Sequence, residues 1–156
     1  MPDIAISPIA IVCNTRLTPE DDNWGGLVSE IRLDPALPEE SLEGLETFSH
    51  AEIIFQFHLV ADQEIVPGAR HPRENPLWPK VGILAQRARL RPNRLGLTVV
   101  RILRREGASL FVEGLDAIDG TPVLDIKPVM QEFLPRGPIR QPEWSHALMR
   151  DYWKQD

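Results

Sequence analysis

The chain has one cysteine and no apolar run approaching the roughly 20 residues of a membrane span. Each absence removes a class of protein. Cys13 alone cannot build an internal disulfide framework, and a lone thiol fits a reducing cytoplasm, the expected compartment. It lies in an apolar, strand-like run, which predicts a buried and inert thiol. No membrane partner is expected, and "MPDIAISPIAIV" carries an early Asp without a basic stretch, so no secretory signal is expected either. The four histidines (50, 58, 71 and 146) are scattered, with no Cys-x-x-Cys and no His-Glu-x-x-His. His50 and His58 share a strand face, yet the strand between them spans roughly 26 Å at about 3.3 Å per residue, too far to share an ion. No metal is expected. Also missing are G-x-G-x-x-G, the G-x-S-x-G nucleophile elbow and a P-loop. Their absence disfavours dinucleotide binding on a parallel sheet, serine hydrolysis and phosphoryl transfer.

What is present reads as short strands. Apolar content of 42% and charged content of 26% are ordinary for a soluble globular protein of 156 residues. A single domain over 1–156 is expected, with a core at 7–134 and a helical extension at 141–154. Fifteen prolines and ten glycines leave long helices little room. Strands are predicted at 9–12, 26–33, 51–60, 81–86, 95–103, 109–115 and 122–129. In the third of these, Ala51, Ile53, Phe55, Phe57 and Leu59 face one way and His50, Glu52, Gln56 and His58 the other. In "LTVVRIL", Val99, Arg101 and Leu103 oppose Thr98, Val100 and Ile102. "REGAS" and "DAIDGTP" carry turn chemistry, Asp119-Gly120 most strongly. A short helix is predicted from Glu39 to about Leu45, its acids at the positive end. Another is predicted over 142–153, with Trp144, Leu148 and Tyr152 on one stripe. The sum is a mainly β protein, an antiparallel sheet curled into a barrel with a short C-terminal helix.

The formal net charge of −6 conceals an asymmetry. Between Pro19 and Glu64 stand twelve acids against the single base Arg32; between Gly68 and Arg105 stand ten bases against the single acid Glu74. Screening confines each field to about 10 Å, so an acidic protein can still bind an anion locally. Two oppositely charged halves could equally attract each other, within one chain or between subunits. The basic half peaks in "AQRARLRPNRLGLTVVR", where Arg87, Arg89, Arg91, Arg94 and Arg101 crowd around Pro92, Asn93 and Gly96.

Three polar loops remain as candidates for chemistry: "FSHAEIIFQFH", "QRARLRPNRLGLT" and "GLDAIDGTPVLDIKP". The string "RPN" with "RLGLTVV" after "VGILAQRAR", followed by "VEGLDAIDGTPVLDIKP", closely resembles the TsaA-like (YaeB-like) family, whose studied member is tRNA methyltransferase O. "LETFSHAEIIFQFH" is similar to that family's Phe-Ser-His…Phe-His strand, and "SPIAIV" to its first strand. The resemblance spans roughly residues 7 to 130. Three departures stand out. Val12-Cys13-Asn14 lacks the arginine that usually ends the first strand. Arg94-Leu95 replaces a Pro-Ile pair at the loop tip. Only 28 residues follow "DIKP" here, so a shorter member lacking the tRNA enzyme's separate C-terminal domain is expected.

The resemblance implies a single-sheet β-barrel, usually a homodimer, that binds S-adenosylmethionine and methylates N6 of threonylcarbamoyladenosine in tRNA. By motif, its cofactor contacts fall on Gly25, Gly26 and Leu27, on His58 and Leu59, on Arg87 and Leu97, and on Gly114, Leu115 and Asp116. Arginine forks and free backbone N–H groups suit a carboxylate, while Asp116 or Asp119 suits ribose hydroxyls or an ammonium. An acceptor nitrogen must lose a proton, and Asp119, Asp125 and His58 are the candidate bases. Arg89, Arg91, Asn93, Arg94 and Lys127 are the candidate tRNA contacts.

Plainer readings stand beside these. Asp119-Gly120 could serve the turn alone, Asp125 and Lys127 could pair on one strand face, and Phe55 and Phe57 read as core. His50 could be structural, and Arg104 and Arg105 solvated. Two other functions stay open: an S-adenosylmethionine-dependent enzyme acting on another RNA or a small molecule, and a non-catalytic S-adenosylmethionine-binding regulatory module.

Overall fold

Apolar residues recur at every second position through the strand-forming stretches, and in three dimensions that alternation closes a barrel. The computed structural model describes residues 1–155. Its strands are β1 (Ala10–Cys13), β2 (Val28–Leu33), β3 (His50–Gln56), β4 (Ala69–Arg70), β5 (Val81–Gly82), β6 (Leu95–Glu106), β7 (Ser109–Glu113) and β8 (Pro122–Pro128), followed by one helix, α1 (Glu143–Leu148). Six strands form a closed antiparallel barrel in the order β1-β2-β7-β6-β3-β8, and β4 pairs with β5 in a separate ribbon. Closure comes where Ala10 faces Val123 and Ile11 faces Pro122 across β1 and β8. Among the described residues no helix is long and apolar enough to cross a membrane.

Inward residues fill the barrel: Val12 of β1, Ile31 of β2, Ala51, Ile53 and Phe55 of β3, Val100 of β6, Leu110 and Val112 of β7, and Val123 of β8. Leu115, just beyond β7, joins them fully buried. The period-two alternation expected for β3 and β6 is the one observed, with 51, 53 and 55 inside and 97 and 99 outside. Gly96 marks the tightest spot. A methyl group there would overlap the ring of Phe55, its partner across β3 and β6.

Because all six strands are antiparallel, their connections alternate between two ends of the barrel. The segments 14–27, 57–94 and 114–121 leave one end; 34–49, the turn at Gly107 and the chain after β8 leave the other. The "RPN" segment and the Asp119-Gly120 turn therefore share an end.

Several expectations need correction. The strand predicted over 51–60 stops at Gln56: Phe57 N–H makes a last ladder-like bond to the Arg94 carbonyl at 2.8 Å, and the chain then turns, Val60 N–H donating to the Phe57 carbonyl at 3.2 Å. Leu59 is consequently exposed, not on the buried face. The stretch 81–86 is only two residues of strand, then a 3-10 turn. The buried Gln86 amide donates to the carbonyls of Arg70 and Val81, each at 3.0 Å, and folds the chain back. The helix expected from Glu39 is two short 3-10 turns broken at Gly44, whose φ is 92°. The helix expected over 142–153 ends at Leu148, so Tyr152 leaves the stripe with Trp144. Cys13 is half-buried; partial burial is the largest influence raising its thiol's pKa, which keeps it protonated.

The opposed charge blocks meet within the chain. Arg73 pairs with Asp22 at 2.9 Å, Arg94 with Asp62 at 2.8 Å and Arg105 with Glu46 at 3.4 Å.

Gly96→Ala should destabilise the barrel by about 1–3 kcal/mol through overpacking against Phe55. A urea melt checks it: the midpoint falls with unchanged slope. An unmoved midpoint would show that the Phe55 ring has room to turn.

Candidate functional site

Asp116 is the hub of the shared barrel end. It follows β7 and Gly114, whose φ of 84° turns the chain out of the strand while its N–H donates to the Leu27 carbonyl at 3.0 Å. The buried Thr98 hydroxyl, pointing inward from β6, donates to Asp116 Oδ1. The Tyr152 hydroxyl donates to Asp116 Oδ2. Burial first, and the Asp116 carboxylate second, hold the Tyr152 phenol far above the ordinary tyrosine range, so it remains a donor.

The glycines predicted for the cofactor lie beside this hub. A Cβ at Gly114 would stand 3.9 Å from the Gly25 carbonyl oxygen, so the 25–27 and 114–116 segments are neighbours. Arg87, exposed, donates its guanidinium to the Leu97 carbonyl. The charges of Arg87 and Arg73 both act on the Tyr152 phenol, pulling its pKa down against the larger upward influences. Leu115 is wholly buried, so only its backbone can meet a ligand; Leu97 lies on the outer face of β6.

His58 and the Asp119-Gly120 turn also meet here. A Cβ at Gly120 would stand 3.8 Å from His58 Nε2. Desolvation lowers the His58 pKa below the ordinary 6.5, favouring the neutral imidazole. Asp119 Oδ1 accepts the Asn14 N–H at 3.0 Å, and Gly120 takes a φ of 79°, so this pair does shape its turn. Asp125 is apart from both. It pairs with Lys127 at 2.8 Å and borders a groove with Leu33, Leu42 and Phe48 toward the other barrel end. Lys127, raised above the ordinary lysine value by that bond, goes with it.

The "RPN" segment is a 3-10 turn, with Asn93 and Arg94 at φ 64° and 54°. Arg91 donates to the Gln86 carbonyl at 2.7 Å and Arg94 to the Val60 carbonyl at 2.8 Å, so both brace the loop from inside. Arg89 and Asn93 are exposed.

Sequence reasoning missed four residues of this end: Asn14, Trp24, Thr98 and Tyr152. Asn14, beside the place of the missing family arginine, donates to Ser29 Oγ at 2.9 Å and to the Ala117 carbonyl at 2.8 Å. It ties β1, β2 and the 114–121 segment together. Trp24 is buried beneath Arg16, whose guanidinium stands 4.4 Å from the ring centroid. Only for Thr98 did the sequence hold a signal, a polar residue on the inward face of β6.

Known proteins share the sequence pattern and the fold. The family model described as the tRNA-methyltransferase O N-terminal domain matches residues 14–133. The tRNA (adenine(37)-N6)-methyltransferase of Mus musculus is 43% identical over 96 residues, 62% of this chain and 22% of that protein. A Methanothermobacter thermautotrophicus protein named "Probable S-adenosyl-L-methionine-binding protein" is 34% identical over 134 residues, 83% of this chain and 93% of that one. A crystal structure of TrmO from Pseudomonas aeruginosa superposes with a TM-score of 0.74 at 28% identity, covering 92% of this chain and 62% of that one. The chain thus spans about a fifth of the mouse enzyme it matches. With the family model covering residues 14–133, and with the barrel of a solved TrmO, the chain belongs to the tRNA-methyltransferase O N-terminal domain family.

Proposed function

We propose that this chain binds S-adenosylmethionine at the Asp116 end of the barrel and methylates tRNA, at N6 of threonylcarbamoyladenosine. One observation carries the reading. Positions distant in sequence that the family resemblance assigns to the cofactor (Gly25, Arg87, Leu97, Gly114 and Asp116) lie close together around one carboxylate. The residues fit such a ligand. Two side-chain-free positions, an exposed guanidinium, a carboxylate and the buried Trp24 Nε1, which lacks an acceptor, supply donors and acceptors for a nucleoside and an amino-acid group.

S-adenosylmethionine, when bound, supplies a methyl group on a sulfonium, an electrophile that needs only an aligned nucleophile. The chain's part is positioning. Asp116 would accept from ribose hydroxyls or an ammonium, and Arg87 would hold a carboxylate. His58, kept neutral, would take the acceptor's proton beside the Asp119-Gly120 turn. Exposed Arg89 and Asn93 would meet tRNA phosphates. The outer row Leu95, Leu97 and Val99, with Ile54 opposite Leu97, supports a homodimer, and the lone Cys13 a cytoplasmic setting. The near-full coverage of the archaeal relative favours one alternative, a cofactor-binding module without transferase activity.

Radiolabelled methyl transfer into bulk tRNA separates the two. Label should enter tRNA, and Arg87→Ala or Asp116→Asn should cut the rate about 10- to 100-fold, as loss of a charge-assisted ligand contact does. Cofactor binding with no transfer to any RNA would favour the module. The NMR titration midpoint of His58 should lie below 6.5, because its cationic form is disfavoured in the fold. Folding stability should then decline as pH falls through about 6.5, where the unfolded chain takes up that proton first, and level off below the folded pKa. A midpoint above 6.5 would rule out the neutral base.

A further inference from the structure

Beyond α1 the chain has returned to the Asp116 end of the barrel, although β8 ends at the other. There residues 151–155 form a strap along the loop Asn23–Gly26. Asn23 N–H donates to the Asp151 carbonyl at 3.2 Å, Trp24 N–H to the Tyr152 carbonyl at 2.8 Å, and Gly25 N–H to the Lys154 carbonyl at 3.3 Å. Gly25 is what permits the approach: a Cβ there would overlap the Trp153 carbonyl oxygen. A Cβ at Gly26 would stand 3.2 Å from Gln155 Cγ. Between these contacts, the Tyr152 hydroxyl takes the Asp116 oxygen that Thr98 does not use.

The strap thus claims the Gly25 N–H, the open faces of Gly25 and Gly26, and Asp116 Oδ2. The cofactor reading needs the same groups. One carboxylate oxygen and one amide cannot serve a ribose and a tyrosine together. We propose that residues 151–155 are an intramolecular competitor that fills the S-adenosylmethionine site in the resting chain and leaves when the cofactor enters. This rests on the cofactor reading given above.

The strap is built to leave. Each of its backbone bonds exchanges for one to water, so its net hold is modest. Trp153 is 45% exposed, and Lys154 and Gln155 are exposed as well. With the strap in place, Trp24 Nε1 stands buried without an acceptor. The hydroxyl of Tyr152 on Asp116 is the one charge-assisted side-chain latch described between strap and site. Tethering keeps the strap's effective concentration high, so the apparent cofactor affinity is reduced by the fraction of chains in which the strap is open.

The test uses the full chain and Tyr152→Phe, which removes only the latch, with S-adenosylhomocysteine as the probe. By calorimetry the variant should bind about tenfold more tightly, the worth of one charge-assisted bond. Without ligand, the Trp24 and Gly25 amides should exchange faster in the variant. In the unmodified chain, saturating S-adenosylhomocysteine should speed chymotryptic cleavage after Tyr152 and Trp153. Unchanged or weaker binding by Tyr152→Phe, or slower cleavage on adding ligand, would make the strap a fixed wall of the site and overturn the competition, while the cofactor reading stands. Absence of binding by both proteins would instead overturn the cofactor reading, and the competition with it.

Discussion

Closure of the sheet is the constraint on which the rest of the structure depends. Once β8 pairs with β1, no strand edge is left among the six, and every inward side chain must fit one narrow interior. Val, Ile, Leu and Ala meet that limit, and Phe55 meets it only because its partner Gly96 has no side chain. The same closure sorts the connections by end. An antiparallel barrel of six strands delivers the long 57–94 excursion, the 14–27 loop and the 114–121 turn to one rim, whatever their sequences.

That rim gathers polar groups that the interior could not accept singly. Thr98 points into the barrel and would be an unsatisfied hydroxyl without Asp116. Asp116 in turn would be a poorly compensated carboxylate without Thr98 and its second donor. Asn14 plays the corresponding role a few residues away, its amide satisfying Ser29 and the Ala117 carbonyl while its N–H finds Asp119. A site of this kind is rigid where strands anchor it and adjustable where only turns and the C-terminal segment complete it.

Charge plays a double part. The acidic and basic blocks that divide the sequence are partly spent on each other, through Arg73 with Asp22, Arg94 with Asp62 and Arg105 with Glu46. Exposed pairs of this sort add little stability. Their effect is to fasten the long 57–94 excursion and the neighbouring loops to the barrel, and so to decide which arginines stay available. Arg91 and Arg94 brace the loop from within, while Arg87 and Arg89 stay at the surface.

The period-two alternation of β3 and β6, the Asp119-Gly120 turn and the Gly107 hairpin were legible in the sequence, because strand faces and tight turns depend on residues within a few positions of one another. The family motifs, in turn, pointed to Gly25, Arg87, Gly114 and Asp116 without saying what surrounds them. Where chain segments meet at long range, only the tertiary structure could decide. Leu59 leaves the buried face because the chain turns at 57–60, where the Arg94 guanidinium holds the Val60 carbonyl, and Gln86 ends a strand by reaching back to Arg70. Local spacing puts Tyr152 on one face of a helix, since its true partner, Asp116, lies 36 residues away. Local pattern records which way a side chain can point; which carboxylate it finds there is settled only when the barrel closes and the chain returns to its rim.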